Sequence, residues 1–475
     1  MRAFLAIAAL TVRHALRSHL FQLLLGLLLL CVAVIPATAG DSTAAGFIQV
    51  SLLYSLSTVL LVLSLASVWL GCFVMCHDID SYQLHMVITK PVSRVTVWLG
   101  KFAGILAINT VLLIVSTAAV FAIVMWKFEQ TKFAPEDRQR AENEVLAGRR
   151  VFLPDPPDID LQTRIELNEK HKRMAAAGQK PADDTPQAQE KEYQEVRRQV
   201  LARQAEVRPD GVRQWNFSGL PADLKTPLYL RYRCYVGRVH HEGQRMTAGF
   251  WVVRVPLRKE EKATEFTNAK TLGYQSFWTT MSPEPESLRS GVFNEKTLKP
   301  EWRLVAPDGT LQIAFRNLDP RGQKLFFQID DGPKLLLKVA GFGENYCRCV
   351  LVMFLELVIL TGLGCAAAAF LTMPTAIFVV ISYLLFGSFA SYMAETSFFG
   401  GTADYIGYYV GKLLLIVVIP IQKFAVTEIV SQGELIEWSF IGRLVLSYLV
   451  LRALPLFLFG IWMYRRREMG LVIRK

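Results

Sequence analysis

The sequence predicts an α-helical integral membrane bundle of six spans with an inserted extracytoplasmic α+β domain, built of charged helices and a jelly-roll-like β-sandwich. Three observations predict it. At 475 residues, 52% hydrophobic and with a net charge of +11, the chain is too apolar for an ordinary soluble domain and too charged to lie wholly in a membrane. Its apolar residues gather into runs of about 20, long enough to cross a hydrocarbon core of about 30 Å as helix. Between the third and fourth runs lies a long polar stretch whose second half turns to short β-prone segments punctuated by turn residues.

The runs are Leu20–Pro36, Val50–Met75, Phe102–Trp126, Val350–Phe370, Ala376–Met393 and Phe440–Tyr464. A seventh, Ile406–Ile421, is interrupted by Lys412 and Pro420, so the segment 404–432 reads as an outer interfacial helix, lying at the membrane surface or dipping into it. Leu20–Pro36 followed by Ala37-Thr38-Ala39 also has the shape of a signal peptide, but its leader is long and a second apolar run follows at once, as in a helical hairpin. If residues 1–18 are helical, Arg2, Arg13 and Arg17 share a stripe apart from Phe4, Ile7 and Ala8, which suits a helix on the inner leaflet; the plainer alternative is a basic leader.

Positive charge orients the spans. Arg2, Arg13 and Arg17 precede the first; Lys90, Arg94 and Lys101 separate the second from the third; Arg465, Arg466, Arg467, Arg474 and Lys475 follow the last. Six spans put all three groups on one side, with both termini cytoplasmic and residues 127–346 outside a cytoplasmic (inner) membrane. The expected organisation is a membrane segment 1–126 with a cytoplasmic loop 77–101, a charged helical segment 127–213, a sandwich 214–346 and a membrane segment 347–475.

Within the insert, helices are expected at Glu136–Arg150, Leu161–Gly178 and Ala188–Val207, the last with Thr185 as N-cap before Pro186. Tyr193, Val196, Val200 and Val207 lie near one face of that helix, which gives it something to pack on; a charged stalk is the alternative. "PLYLRYRCYVGRV", "MTAGFWVVRVPL", "LQIAFRNL", "KLFFQID" and "KLLLKV" are the expected strands, with "PDG", "DPRG" and "DDG" as turns.

Motifs for chemistry are sparse. A phosphate-binding loop needs Gly, four residues and Gly-Lys-Ser/Thr; the nearest string, "GYYVGKL" at Gly407–Leu413, has the wrong spacing and lacks the hydroxyl. The chain is therefore not expected to hydrolyse ATP. Cys31, Cys72, Cys76 and Cys365 sit in or beside spans, where a small soft residue packs well. A disulfide among Cys234, Cys347 and Cys349 is weakly indicated. Adjacent His240 and His241 would point to opposite faces of a strand, so no shared metal site is expected.

The polar stretch "HDIDSYQLHMVITKPVSRVTVWLGK", His77–Lys101, sits between two strongly apolar runs. Pro91 disfavours helix at Lys90, leaving Asp80–Ile88 as one short surface helix, with Lys90, Arg94 and Lys101 able to reach lipid phosphates or the acids of a partner. The plainer reading is a basic loop anchoring the membrane edge. "VITKPVSRVTVWLGKFAGIL" resembles the signature of type-2, exporter-like ABC transporter permeases, a class that includes permeases linked to multicopper-enzyme maturation and gliding. In that family an acidic residue, a leucine-rich turn, Lys-Pro-Val-Ser-Arg and a Leu-Gly-Lys opening the next span recur at this place. The resemblance covers mainly Met1–Trp126 and, more weakly, the last spans, where "IVVIPIQKFAVTEI" resembles an outer helical re-entry. His77-Asp78-Ile79-Asp80 replaces the usual Arg-Glu beginning, and His85-Met86 stands where leucines are usual.

The resemblance implies a permease subunit coupled through Asp78, Asp80, Tyr82, His85, Lys90, Pro91 and Arg94 to a separate ABC ATPase subunit, which would hold the ATP and Mg. It implies a homodimer or a second permease as partner, membrane lipid as surroundings, no cofactor in this chain and no nucleic acid. A membrane-anchored envelope scaffold whose sandwich binds glycan or protein is the alternative. Two intramembrane charges remain, Glu356 in the fourth run and Arg452 in the sixth. An isolated charge there costs about 2.5–3.5 kcal/mol on insertion scales. Each lies nine residues beyond a polar marker, Cys347 and Arg443 respectively, so similar depth and an ion pair are expected.

Overall fold

The computed structural model describes residues 2–38, 43–80, 92–178, 186–221, 228–236, 246–254, 264–272, 279–281, 305, 308–319, 322–328, 332–395 and 402–466. The chain divides into two compact units, one of Met1–Gly148, Ala340–Ser397 and Ala403–Lys475, the other of Arg149–Val339 with Phe398–Thr402.

The first unit is helical: α1 (Arg2–Arg17), α2 (His19–Thr38), α3 (Ala44–Asp80), α4 (Arg94–Gln130) and α5 (Pro135–Glu144) from its first segment. Five helices of the unit are long and apolar enough to cross a membrane: Ala44–His77 of α3, all of α4, Phe342–Ala368, Met373–Met393 and Trp438–Arg466. These coincide with the second to sixth apolar runs. Leu20–Pro36, the first run, belongs instead to a bent pair that α2 makes with α1, and Ile406–Val417 with Ile421–Ser431 forms a second pair bent by 61°. Counting each pair as one span gives up to seven, so the chain fits a multi-pass membrane protein of five to seven candidate spans. At 37 residues each, α3 and α4 are about 55 Å long and overshoot a hydrocarbon core of about 30 Å.

Local chemistry sets the helix ends. The Ser93 side chain accepts from the Thr96 backbone N–H at 3.1 Å and starts α4. At the second bent pair Pro420 disfavours helix at Ile419, and a short 3-10 turn, Ile421–Phe424, follows. In Trp438–Arg466 the middle, Val445–Ala453, is wound as π-helix, and the Leu454 N–H reaches back to Leu449 O. Pro455 supplies the reason. It has no N–H, and in an α-helix its ring would clash with the Leu451 carbonyl; the wider turn relieves both problems.

Small residues set the packing, as membrane helices require when burial alone does not drive association. Gly71 of α3 lies against the helix Phe342–Ala368, where an added β-carbon would stand 3.0 Å from Thr361 O and 3.2 Å from the Gly364 Cα. Gly362 lies beneath the Phe457 ring, and a β-carbon on Gly460 would stand 2.6 Å from the Ala366 Cα. Gly100 and Gly104 of α4 form a notch for α1, where a β-carbon on Gly104 would come within 2.8 Å of Ala8 O and of the Thr11 Cβ.

The second unit holds α6 (Ile159–Ala176) and α7 (Pro186–Ala205) with a small sheet region. Asp158 caps α6, accepting from the Leu161 N–H at 2.9 Å. The two helices are laced by polar pairs: Lys170–Glu192 at 2.8 Å, His171–Glu192 at 3.1 Å, Tyr193 OH to Asp160 at 3.0 Å, and Arg203–Glu166. Val196 and Val200 of α7 are buried, so the expected apolar face is packed. The expected Thr185 cap lies outside the described residues.

The strands are β1 (Ala147–Phe152), β2 (Glu206–Val207), β3 (Val212–Phe217), β4 (Leu228–Tyr232), β5 (Tyr235–Val236), β6 (Met246–Arg254), β7 (Thr264–Leu272), β8 (Thr279–Met281), β9 (Leu311–Asn317), β10 (Leu325–Phe326) and β11 (Lys334–Gly341). They form sheets of order β1-β11-β4-β8, β2-β10-β5 and β3-β9-β6-β7. In the last, β9 pairs antiparallel with both β3 and β6, placing Phe315 opposite Arg213 and Trp251. The sheets share one core: Trp251 contacts Trp215, Tyr232, Phe315 and Phe327 at centroid distances of 5.6, 4.8, 4.9 and 5.9 Å. Cys234 is buried beside this cluster, and burial pushes its thiol up to about 12.

Two expectations need correction here. The helix expected at Glu136–Arg150 ends at Glu144 and the chain continues as β1, because Gly148 weakens helix while Val151 and Phe152 favour strand. The strands begin before Gln214, with β1, β2 and the first residues of β3 drawn in by pairing with distant partners.

Candidate functional site

Within the helical unit a cavity of about 630 Å³ opens among α3, the helix Phe342–Ala368 (α8) and Met373–Glu395 (α9), with α2 and the 3-10 turn Ile421–Phe424 completing the wall. The lining is mostly aliphatic: Leu60, Leu61, Leu65, Val68, Leu360, Ile377, Ile381 and Leu384 among others. Into this surface project the Glu356 carboxyl, the Ser57 and Ser64 hydroxyls, Thr427 and Gln422. The periodicity of α3 explains the placement, since Ser57, Leu60, Leu61, Ser64, Leu65, Val68 and Trp69 recur at intervals of three and four and share one face.

Glu356 is 5% exposed, and its Oε1 accepts from Ser64 Oγ at 3.0 Å. Ser57 and Thr427 share a hydrogen bond of 2.9 Å on the same wall. The expected Glu356–Arg452 ion pair is not formed. Arg452 donates from Nη1 to Val418 O at 3.1 Å and lies 4.9 Å over the Tyr448 ring. The physical reason is the broken helix Thr402–Val417 (α10), whose last carbonyls need donors; Tyr383 OH serves Val417 O at 2.9 Å and Arg452 serves the next. Depth along the chain was matched, but direction around the helix was not, and the π-helical turn beside Arg452 alters that direction.

Above the cavity α3 continues as an aromatic ladder. Trp69, which lines the cavity, stacks on Phe73 at 4.8 Å, Phe73 on His77 at 5.2 Å, and His77 on His14 of α1 at 5.2 Å. The ladder ends at His77, where the polar stretch His77–Lys101 begins. Its signal in the sequence is the four-residue spacing of Trp69, Phe73 and His77.

Among the expected coupling residues, Asp78 and Asp80 belong to the last turn of α3, but their side chains, together with Tyr82, His85, Lys90 and Pro91, lie outside the described residues. Arg94 is half-buried and donates from Nη1 to Arg465 O at 2.7 Å, joining the start of α4 to the end of the last span. Lys101, expected to face lipid phosphates or a partner, is instead buried, and its Nζ donates to Val74 O at 3.0 Å. It is the Leu-Gly-Lys lysine, and the adjacent Gly100 lets α1 pack close enough to cover that turn.

The N-terminal end of α8 is pinned by polar contacts that sequence reasoning missed. Asn345 donates to Glu434 O at 2.7 Å and accepts from the Ile436 N–H at 2.9 Å, and Arg348 donates to Ile436 O at 2.9 Å. The expected disulfide is not formed: Cys234, Cys347 and Cys349 are all free thiols. His240 and His241 lie outside the described residues. No cluster of three or more metal-ligating side chains occurs among the described residues. No protein-family model, curated protein or solved structure matches the chain.

Proposed function

We propose that this chain is the membrane permease subunit of an ABC transporter, moving a substrate across the cytoplasmic membrane with ATP hydrolysed by a separate subunit. The observation that carries the reading is that one helix, α3, both lines the apolar cavity and runs into the segment resembling a permease coupling loop. Asp78, Asp80, Tyr82, His85, Lys90, Pro91 and Arg94 are the residues proposed to meet the ATPase. A displacement of that segment would travel along α3 to Ser64 and the Glu356 carboxyl, and through the Arg94 contact to the last span. In this reading both termini are cytoplasmic and residues 127–346 form an extracytoplasmic domain with a sandwich-like sheet region.

Affinity purification in mild detergent tests the proposal. The expected result is a co-purifying ATPase with a phosphate-binding loop, retained less well when Asp80→Ala is introduced, because a charge at an interface rim acts on association more than on folding. Recovery of glycan or of envelope proteins with no ATPase would overturn it in favour of a scaffold.

A further inference from the structure

We propose that the Glu356 cavity binds lipophilic cations, molecules with an apolar body and one protonated amine, and takes them from the hydrocarbon phase. The proposal deepens the permease reading and rests on it for what the binding serves. Four features of the cavity support it together. Its volume, about 630 Å³, is large enough for a small amphiphile. Its aliphatic walls suit an apolar body. Its one acidic group, Glu356, is buried with a single Ser64 hydrogen bond, and among the described residues no cation forms an ion pair with it, Arg452 being committed to Val418 O. A buried carboxyl of this kind favours a ligand that brings the missing positive charge and an N–H donor.

The fourth feature is the mouth. Leu61 and Leu65 of α3 line the cavity yet are 60% and 56% exposed, and Ile381 of α9 lines it at 45% exposed. The opening therefore lies between two apolar helix surfaces, so a ligand enters sideways from lipid. An apolar mouth of this kind favours entry of a lipophilic cation over a hydrophilic one. Ser57, Thr427 and Gln422 stand along the wall to receive a second polar group on the ligand.

The probe is a dodecylamine carrying a mid-chain photoactivatable diazirine, with the matching dodecanol as control, on full-length protein in phosphatidylcholine nanodiscs without any ATPase. Peptides spanning Leu60–Trp69 and Ile377–Leu384 should be labelled by the amine, and labelling at equal concentration should fall by about tenfold or more in Glu356→Gln, the size expected when one partner of a buried charged pair is neutralised. The alcohol should label weakly and equally in both. Leu61→Trp, which obstructs the mouth and leaves the carboxyl in place, should reduce amine labelling without lowering thermal stability. Equal labelling by amine and alcohol would overturn the proposal, showing a cavity filled by any acyl chain, as would amine labelling unchanged in Glu356→Gln. Replacing half the lipid with phosphatidylethanolamine identifies the source of the cation: suppressed labelling means that the lipid's own ammonium occupies the site, and undiminished labelling means a free lipophilic amine. Because no ATPase is present, failure here leaves the co-purification test intact, and failure there leaves this one intact.

Discussion

Gly362 lies beneath the Phe457 ring, and a β-carbon there would overlap the ring atoms farthest from the Phe457 backbone. Phe457 is 7% exposed, and its ring centroid is 6.0 Å from that of Phe102 on α4, so the ring ties three helices together. Gly362→Ala must displace it. Losing the aromatic contact costs about 0.5–1.5 kcal/mol, and forcing the ring off its rotamer costs about 0.5–1.5 kcal/mol more. Alanine gains about 1 kcal/mol over glycine inside a helix, so the net loss is about 0–2 kcal/mol. A leucine at 457 lacks the overlapping atoms, and on a Phe457→Leu background the same Gly362→Ala should stabilise by about 1 kcal/mol. The coupling between the two positions is therefore about 1–3 kcal/mol. Denaturant titration of the four proteins of the cycle in mixed micelles measures it. An effect of Gly362→Ala that is the same on both backgrounds would refute this account of how α8 meets the last span.

Gly104→Leu should expel α1 from its notch on α4: Thr11, 5% exposed, becomes reactive to a thiol reagent as Thr11→Cys only when the notch is filled, and continued protection in the filled variant argues against the notch. Hydrogen bonds from Lys170 and then His171 hold the Glu192 carboxyl below its usual range, so the stability that it contributes is present above the ordinary carboxylate pKa and is lost as pH falls through the depressed one. Its side chain and that of Lys170 are 23% and 46% exposed, which limits the contribution to about 0–1 kcal/mol; Glu192→Gln should lower the melting temperature slightly near neutrality, and the difference should vanish as the pH falls through the depressed carboxylate range. A cysteine placed at the exposed Gln189, in a chain with Cys347→Ser, should react with a membrane-impermeant reagent in intact cells; reaction only after inner-membrane lysis would place residues 127–346 on the other side.

The long helices were legible because a membrane span announces itself by composition: the second to sixth apolar runs each fall within a helix, to within two residues at its end. The first and seventh were harder: the first lies within α2, which bends away from α1 at Ser18, and the seventh breaks at Pro420, and bending is a property of the junction rather than of average hydropathy. Strands built on apolar runs, such as β9 and β11, could be read, whereas β7, "TEFTNAKTL", is mostly polar and is drawn into place by pairing with β6. The cavity was half legible. Glu356 stood out as a buried charge, but its partner is the hydroxyl of Ser64, one unremarkable serine among several on α3, and only the direction of each helix face singles it out. Gly100 and Gly104, four residues apart within an apolar stretch, were the missed sequence sign of a helix crossing.

The π-helical turns of Val445–Ala453 bear on how the last span tolerates sequence drift. Winding of this kind fits about one more residue into each turn than the α-helix on either side, so it is a reserve of chain length. Losing a residue between Phe457 and Gly460 would rotate one of them by about 100° relative to the other, so that Gly362 and Ala366 could no longer receive both. Losing one from the wide stretch instead lets it rewind as α-helix with both ends in register. Pro455 sets the condition, because its ring would then meet the carbonyl one turn back. Related chains with a final span shorter by one residue are therefore expected to carry the gap within this stretch and to have exchanged the proline, two changes that are tolerated together more readily than the deletion alone.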